Sequence, residues 1–181
     1  MKTFALTLVI VFFSLAKGGL AIAGGLAEVV LKEALDDERG YCLDIRGYKT
    51  RAKPERGLQA HSCYSYQGAL GEDQAMDAAK IKAGVFEIKW YRVCMEAHEP
   101  ADGTTVKLTT CTASPAQQFI LTAAGNIQRR QATNLCLTVA AGEPRQGGGG
   151  NPVHLMRSLR FEECSDHRRT YQAWRLRSTA D

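Results

Sequence analysis

The chain has 181 residues, 23% of them charged, and a net charge of +4. That length accommodates one packed domain and leaves no room beside it for a separate catalytic one. The charge is too small to make nucleic acid the main partner.

The chain opens as an export signal: Lys2 precedes an apolar run from Phe4 to Ala16, and Ala21-Ile22-Ala23 offers the small-x-small pattern that a signal peptidase cleaves. Residues 1–23 are therefore expected to be a signal peptide, cut after Ala23. The run is interrupted by Ser14 and Lys17 and falls short of the ~20 apolar residues that span a bilayer, so no stable membrane insertion is expected. Export places the protein in a secreted or periplasmic setting. Lys2 and Lys17 leave with the signal, so the mature chain is nearer neutrality. Residues 24–40 read as an N-terminal leader into the first strand, with a helix-compatible stretch around Leu26 to Asp36.

From Tyr41 onward a pattern recurs three times: a hydrophobic-Cys-hydrophobic triplet, a second cysteine, then a Gln-x-hydrophobic triplet. The copies are Tyr41-Cys42-Leu43, Cys63 and Gln74-Ala75-Met76; Val93-Cys94-Met95, Cys111 and Gln117-Gln118-Phe119; and Leu135-Cys136-Leu137, Cys164 and Gln172-Ala173-Trp174. A unit of this size, repeated, cannot bury its apolar face alone and closes on its copies. The pattern uses all six cysteines. In an oxidising compartment it pairs them within repeats, Cys42 with Cys63, Cys94 with Cys111 and Cys136 with Cys164. The competing zinc reading lacks any C-x-x-C pair, and His61 and His167 stand singly, so no metal and no cofactor are expected.

Between the motifs, Val85 to Ile88, Val106 to Thr109, Ile127 to Arg129 and Leu159 to Glu162 alternate with period two, which predicts half-buried strands. Ala83-Gly84 and Ala123-Ala124-Gly125-Asn126 are turn signals at similar positions in their repeats. The product is an all-β closed architecture of threefold pseudosymmetry. Gly147 to Gly150, between Pro144 and Pro152, lacks the Lys and Ser/Thr of a phosphate loop and reads as a flexible loop lengthening the third repeat. Arg157, Arg160, Arg168, Arg169, Arg175 and Arg177 cluster in that repeat, interleaved with Glu162, Glu163 and Asp166. They make either a solvated rim or a face for acidic polysaccharide or lipopolysaccharide phosphate.

With Cys42-Leu43-Asp44 and Gln172-Ala173-Trp174, residues 41–181 resemble the ricin-type, or Q-x-W, β-trefoil lectins. The resemblance implies twelve strands and up to three shallow sugar pockets, one per repeat. Each pocket would take a carboxylate from the Cys-x-Asp triplet, a glutamine and an aromatic ahead of the second cysteine, and an Asn-Gln pair opening the Q-x-W motif. Such groups accept hydrogen bonds from sugar hydroxyls and cover the apolar pyranose face. In repeat one these positions carry Asp44, Gln59, His61, Asp73 and Gln74. His61 is smaller than tryptophan and partly charged near neutral pH; Tyr64 or Tyr66 would supply a better ring. Asp73 accepts but cannot donate. Asp44 also has a structural reading, as a turn cap.

Repeat two has Glu96, Thr109 and Ala116 at the corresponding places, and repeat three Thr138, Glu162 and Tyr171, so both look chemically empty for the usual ligand. The motif residues Met76, Phe119 and Trp174 are expected in the core, with the glutamine amides satisfying strand backbone. The function implied is a non-enzymatic, carbohydrate-binding protein with one galactose or N-acetylgalactosamine site in repeat one and glycans as partners. The rival is a protein-interaction or toxin-delivery scaffold whose partner subunit binds the degenerate repeats. No Ser/His/Asp or Cys/His arrangement argues for a hydrolase.

Overall fold

The computed structural model describes residues 25–47, 51–65 and 70–178. The expected signal peptide and Tyr66 lie outside them. Each repeat contributes four strands in the same order. Repeat one has β1 (Leu26–Leu31), β2 (Tyr41–Ile45), β3 (Leu58–Ser62) and β4 (Met76–Asp77); repeat two has β5 (Glu87–Ile88), β6 (Val93–Glu96), β7 (Lys107–Thr110) and β8 (Phe119–Leu121). Repeat three has β9 (Ile127–Arg129), β10 (Ala132–Val139), then an inserted pair, β11 (Arg145–Gln146) and β12 (Leu155–Arg157), before β13 (Leu159–Glu163) and β14 (Trp174–Arg177). The twelve strands of the trefoil are thus present, with one extra hairpin.

First and fourth strands close the barrel: β4 pairs with β5, β8 with β9, and β14 with β1, all antiparallel. Second and third strands form the hairpins β2–β3, β6–β7 and β10–β13 that cap it. Each cap is tied by its own disulfide, Cys42–Cys63, Cys94–Cys111 and Cys136–Cys164, which is the pairing the repeat predicts.

Two sequence expectations change. The stretch from Leu26, set apart as a helix-compatible leader, is strand β1 of the trefoil itself. Its residues Glu28 to Leu31 pair with Arg177 to Trp174, the other end of the chain, and buried Val29, Val30 and Leu31 show why. Three consecutive apolar β-candidates fit a strand buried on both faces, and burial overrides local helix propensity. The glycine-rich segment, read as a flexible loop, is the tip of the inserted hairpin. Gly147 N donates to the His154 carbonyl at 2.7 Å and His154 N to that of Gly149 at 3.1 Å. This hairpin leaves its own repeat and adds to repeat one, with Met156 opposite His61 and Arg157 opposite Ala60.

The core is threefold in composition. Leu43, Met95 and Leu137, which follow the first cysteine of each repeat, and Met76, Phe119 and Trp174 of the glutamine motifs are all buried. Trp174 satisfies its indole N–H on the Leu137 carbonyl at 3.0 Å, as a buried tryptophan requires. Gly125 holds the turn into β9 with φ of +102°, and a Cβ there would lie 2.5 Å from the Trp174 carbonyl oxygen. Trp174 N in turn donates to the Gly125 carbonyl at 2.8 Å. Only glycine meets both demands.

Candidate functional site

The motif glutamine does the same work three times. In repeat one, Gln74 Oε1 accepts from Tyr64 N, while Nε2 donates to Ser62 O and Asp44 Oδ2. In repeat two, Gln117 Oε1 accepts from Thr112 N, and Nε2 donates to Thr110 O and Glu96 Oε2. In repeat three, Gln172 Oε1 accepts from Ser165 N, and Nε2 donates to Glu163 O and Thr138 Oγ1. The side chain after Cys-x therefore serves as an internal acceptor in every repeat. That accounts for threonine standing where an aspartate is expected in repeat three: an acceptor is required, a charge is not.

Repeat one brings Asp44, Gln59, Asp73 and Gln74 together, while His61 contacts Ser62, Tyr64 and His154 instead. Asp44 and Gln59 face each other across β2 and β3, and Gln59 Nε2 donates to Asp44 Oδ1 at 3.0 Å. With Gln74 on the other oxygen, Asp44 is bridged by two amides. All five are buried: Asp44 and Gln74 at 0% exposure, Gln59 at 2%, Asp73 at 3% and His61 at 5%. Burial, with the negative charge of Asp73 second, pushes the Asp44 carboxyl well above the usual carboxylate range, against the two amides. The two aspartates thus sense each other, as a shared site requires.

The aromatic position departs from expectation. Burial lowers His61 to about 4, although its ring bonds to the Ser62 carbonyl, so it is neutral near pH 7 rather than partly charged. His61 packs against Tyr64 at 5.3 Å between ring centroids and against His154 at 5.1 Å. His154 comes from the inserted hairpin. Asp37 and Ser62 hold that hairpin down, Ser62 Oγ donating to Asp37 Oδ2 and accepting from Leu155 N at 2.7 Å. Arg39 pairs with Asp37 and donates to the carbonyls of Pro152 and Val153. Sequence reasoning missed this cover because nothing local in the insertion says which repeat it returns to.

Tyr91 was also missed. It lies in the turn between β5 and β6, and its phenol is raised by burial, then by the charges of Asp73, Glu72 and Asp44. The turn is fixed beside the site because Lys89 N donates to the Ala75 carbonyl at 3.1 Å.

In the other repeats the corresponding carboxylates are engaged elsewhere. Glu96 accepts from Thr109 and Gln117 and pairs with His98 at 2.6 Å. Burial raises its carboxyl, but these hydrogen bonds outweigh that and leave it below the usual range. Glu162 is bridged by Arg160 and Arg168. Arginines of the cluster are neutralised in the same way, Arg157 by Asp36 and Arg177 by buried Glu28, which counts against a face for acidic ligands, although buried Arg157 is not part of a solvated rim. The two groups of potential metal ligands found among the described residues, Glu28 with Cys42 and Cys63 and Glu87 with Cys94 and Cys111, both draw on disulfide sulfurs. Those sulfurs are not thiolates and offer no metal site.

The family model of the ricin-type beta-trefoil lectin domain matches residues 32–158. Among solved structures, the agglutinin from Abrus precatorius is similar with a TM-score of 0.59 and 16% identity, over 89% of this chain and 51% of that one. This chain therefore spans about half the length of that agglutinin. The designed threefold-symmetric protein ThreeFoil is similar with a TM-score of 0.61 and 15% identity, over 85% and 99% of the two chains. The C-half of the earthworm R-type lectin, solved in complex with GalNAc, gives 0.51 and 13%, over 85% and 98%. These likenesses establish the fold. No curated protein matches the sequence.

Proposed function

This chain belongs to the ricin-type β-trefoil lectin family, a family of carbohydrate-binding domains, and from that premise we propose that it is an exported glycan-binding protein without catalysis. Its one retained site is in repeat one. The carrying observation is that Asp44, Gln59 and Gln74 are joined there by hydrogen bonds, with Asp73 close enough to raise Asp44. Elsewhere the matching positions hold Glu96, tied to His98, or Thr138, which has no charge.

Galactose and N-acetylgalactosamine are the first ligands to try. The motif positions of repeat one support that choice, and so does GalNAc in the earthworm lectin's structure. A single site of this kind binds weakly, with Kd on the order of millimolar, about −4 kcal/mol, so useful binding needs several copies or a multivalent ligand. Residues 1–23 act as the signal peptide, and three disulfides suit an oxidising compartment. A hydrolase would need two carboxylates flanking an open bond, whereas both oxygens of Asp44 already accept from amides.

The burial of all five residues favours a second reading, in which the cluster is only an internal cross-link and the trefoil is a scaffold for a protein partner. Retention of the oxidised protein on galactosyl and N-acetylgalactosaminyl resin separates the two. The lectin reading expects retention that Asp44→Asn abolishes and Glu96→Gln leaves intact, with both variants melting as cooperatively as the parent. Absence of retention on any sugar, or equal retention of Asp44→Asn, would sink it.

A further inference from the structure

Among the described residues repeat one presents no accessible ring: His61 and Tyr64 are both buried, and His61 packs against Tyr64 and His154. An aromatic that stacks on a sugar has to be exposed. Among the described residues only Trp90 and Val153 are exposed large hydrophobics, Trp90 at 61%. Trp90 thus holds most of its surface in solvent, as a ring that stacks on a ligand must.

The position of Trp90 follows from the sheet. Met76 pairs with Ile88 across β4 and β5, and Lys89 N donates to the Ala75 carbonyl. Repeat two is thereby fastened to the Gln74–Met76 motif of repeat one, and the chain then turns through Trp90, Tyr91 and Arg92 before entering β6. Arg92 adopts φ of +54° in this turn, a conformation rarely held by a non-glycine residue. Lys89 is anchored to Asp77 at 3.1 Å. The Gly71-Glu72-Asp73 turn leads into that same Gln74–Met76 motif, its main chain set by Gln74 N and Ala75 N donating to the Gly71 carbonyl, and the charges of Asp73 and Glu72 reach Tyr91. Glu72 on that turn is exposed, while Asp73 beside it is buried.

We infer that sugar is contacted by a shoulder built across two repeats, with Trp90 as the stacking platform and Glu72 as the hydroxyl acceptor, Tyr91 lying between them. This rests on the lectin reading above and specifies it. The buried Asp44 cluster then acts as a positioning group: its amide bridges hold Gln74 and so the Glu72–Asp73 turn. The ligand class is a neutral pyranoside with an apolar C–H face, a galactoside being the first case, because a ring covers that face while a carboxylate accepts from adjacent hydroxyls. The ring comes from the neighbouring repeat, which is why the aromatic position within repeat one is free to hold histidine.

The sequence has two tryptophans, and Trp174 is 1% exposed, so a fluorescence change on adding sugar reports Trp90. Methyl galactopyranoside titrated into the full oxidised protein is expected to give a saturable shift of the emission, absent in Trp90→Phe. On galactosyl resin, Trp90→Ala should weaken retention about tenfold, an effect of the size that stacking contacts supply, and Glu72→Gln several-fold, both with unchanged melting. If the parent is retained and Asp44→Asn is not, yet Trp90→Ala behaves as the parent, the shoulder is overturned while the lectin reading stands. If the parent binds no sugar, both fall.

Discussion

Asp44 and His61 are both buried in repeat one, yet they titrate in opposite senses. The Asp44 carboxyl is raised in the fold above its ordinary 3.8, so the folded state holds a proton that the unfolded chain has lost. Its contribution is complete below about pH 4 and declines as pH rises through the folded value. His61 is lowered from 6.5 to about 4, so its contribution is complete above pH 6.5 and is lost as pH falls toward 4, by up to about 3 kcal/mol. Urea unfolding at pH 4.5 and pH 7 should therefore show Asp44→Asn gaining more stability between the two than the parent does, and His61→Gln gaining less. Equal pH dependence in all three proteins would contradict the burial of both groups. The sequence carried the identity of these residues but not their solvent exposure. Position after a cysteine says which strand holds Asp44, whereas the cover over His61 comes from Tyr64 and from His154 of the inserted hairpin, far along the chain.

The Gln-x-hydrophobic triplet is the element in which sequence and structure agree most closely. In each repeat the glutamine sits two residues ahead of the hydrophobe that opens the strand, and each has one task, so their spacing is readable from the chain. Gln172→Ala would strip the acceptor from Ser165 N and the donor from Glu163 O, at a cost of about 1–3 kcal/mol. Trp174→Ala would empty the core beneath it, at about 3–5 kcal/mol. The turn that receives this strand gives a sharper contrast. Gly125 and Gly142 both have positive φ, but a Cβ at Gly142 meets nothing within 4 Å while one at Gly125 meets the Trp174 carbonyl. Gly125→Ala should therefore lower the melting midpoint by clearly more than Gly142→Ala, and equal shifts would show that the close approach is not rigid. Strand β1 was less legible because its longest pairing is with β14 at the far end of the chain. The inserted hairpin was less legible because its register is set by β3 of another repeat.

At the scale of the whole molecule, repetition supplies the fold and divergence supplies the site. Three equivalent units close one barrel, and three disulfides spanning 21, 17 and 28 residues tie the caps. Removing one such bridge typically costs about 2–5 kcal/mol, so replacing Cys136 and Cys164 by alanine should lower the denaturation midpoint while keeping a single transition. The insertion of repeat three and the β5–β6 turn of repeat two both converge on repeat one, which makes that repeat chemically unlike its copies. The central claim is that this convergence makes a glycan site. It is tested most directly by a glycan array probed with the oxidised protein presented multivalently, beside Asp44→Asn presented the same way. The account predicts binding to terminal galactosides or N-acetylgalactosaminides that the variant loses; binding to acidic glycans alone, unchanged in the variant, or no binding by either protein, would contradict it.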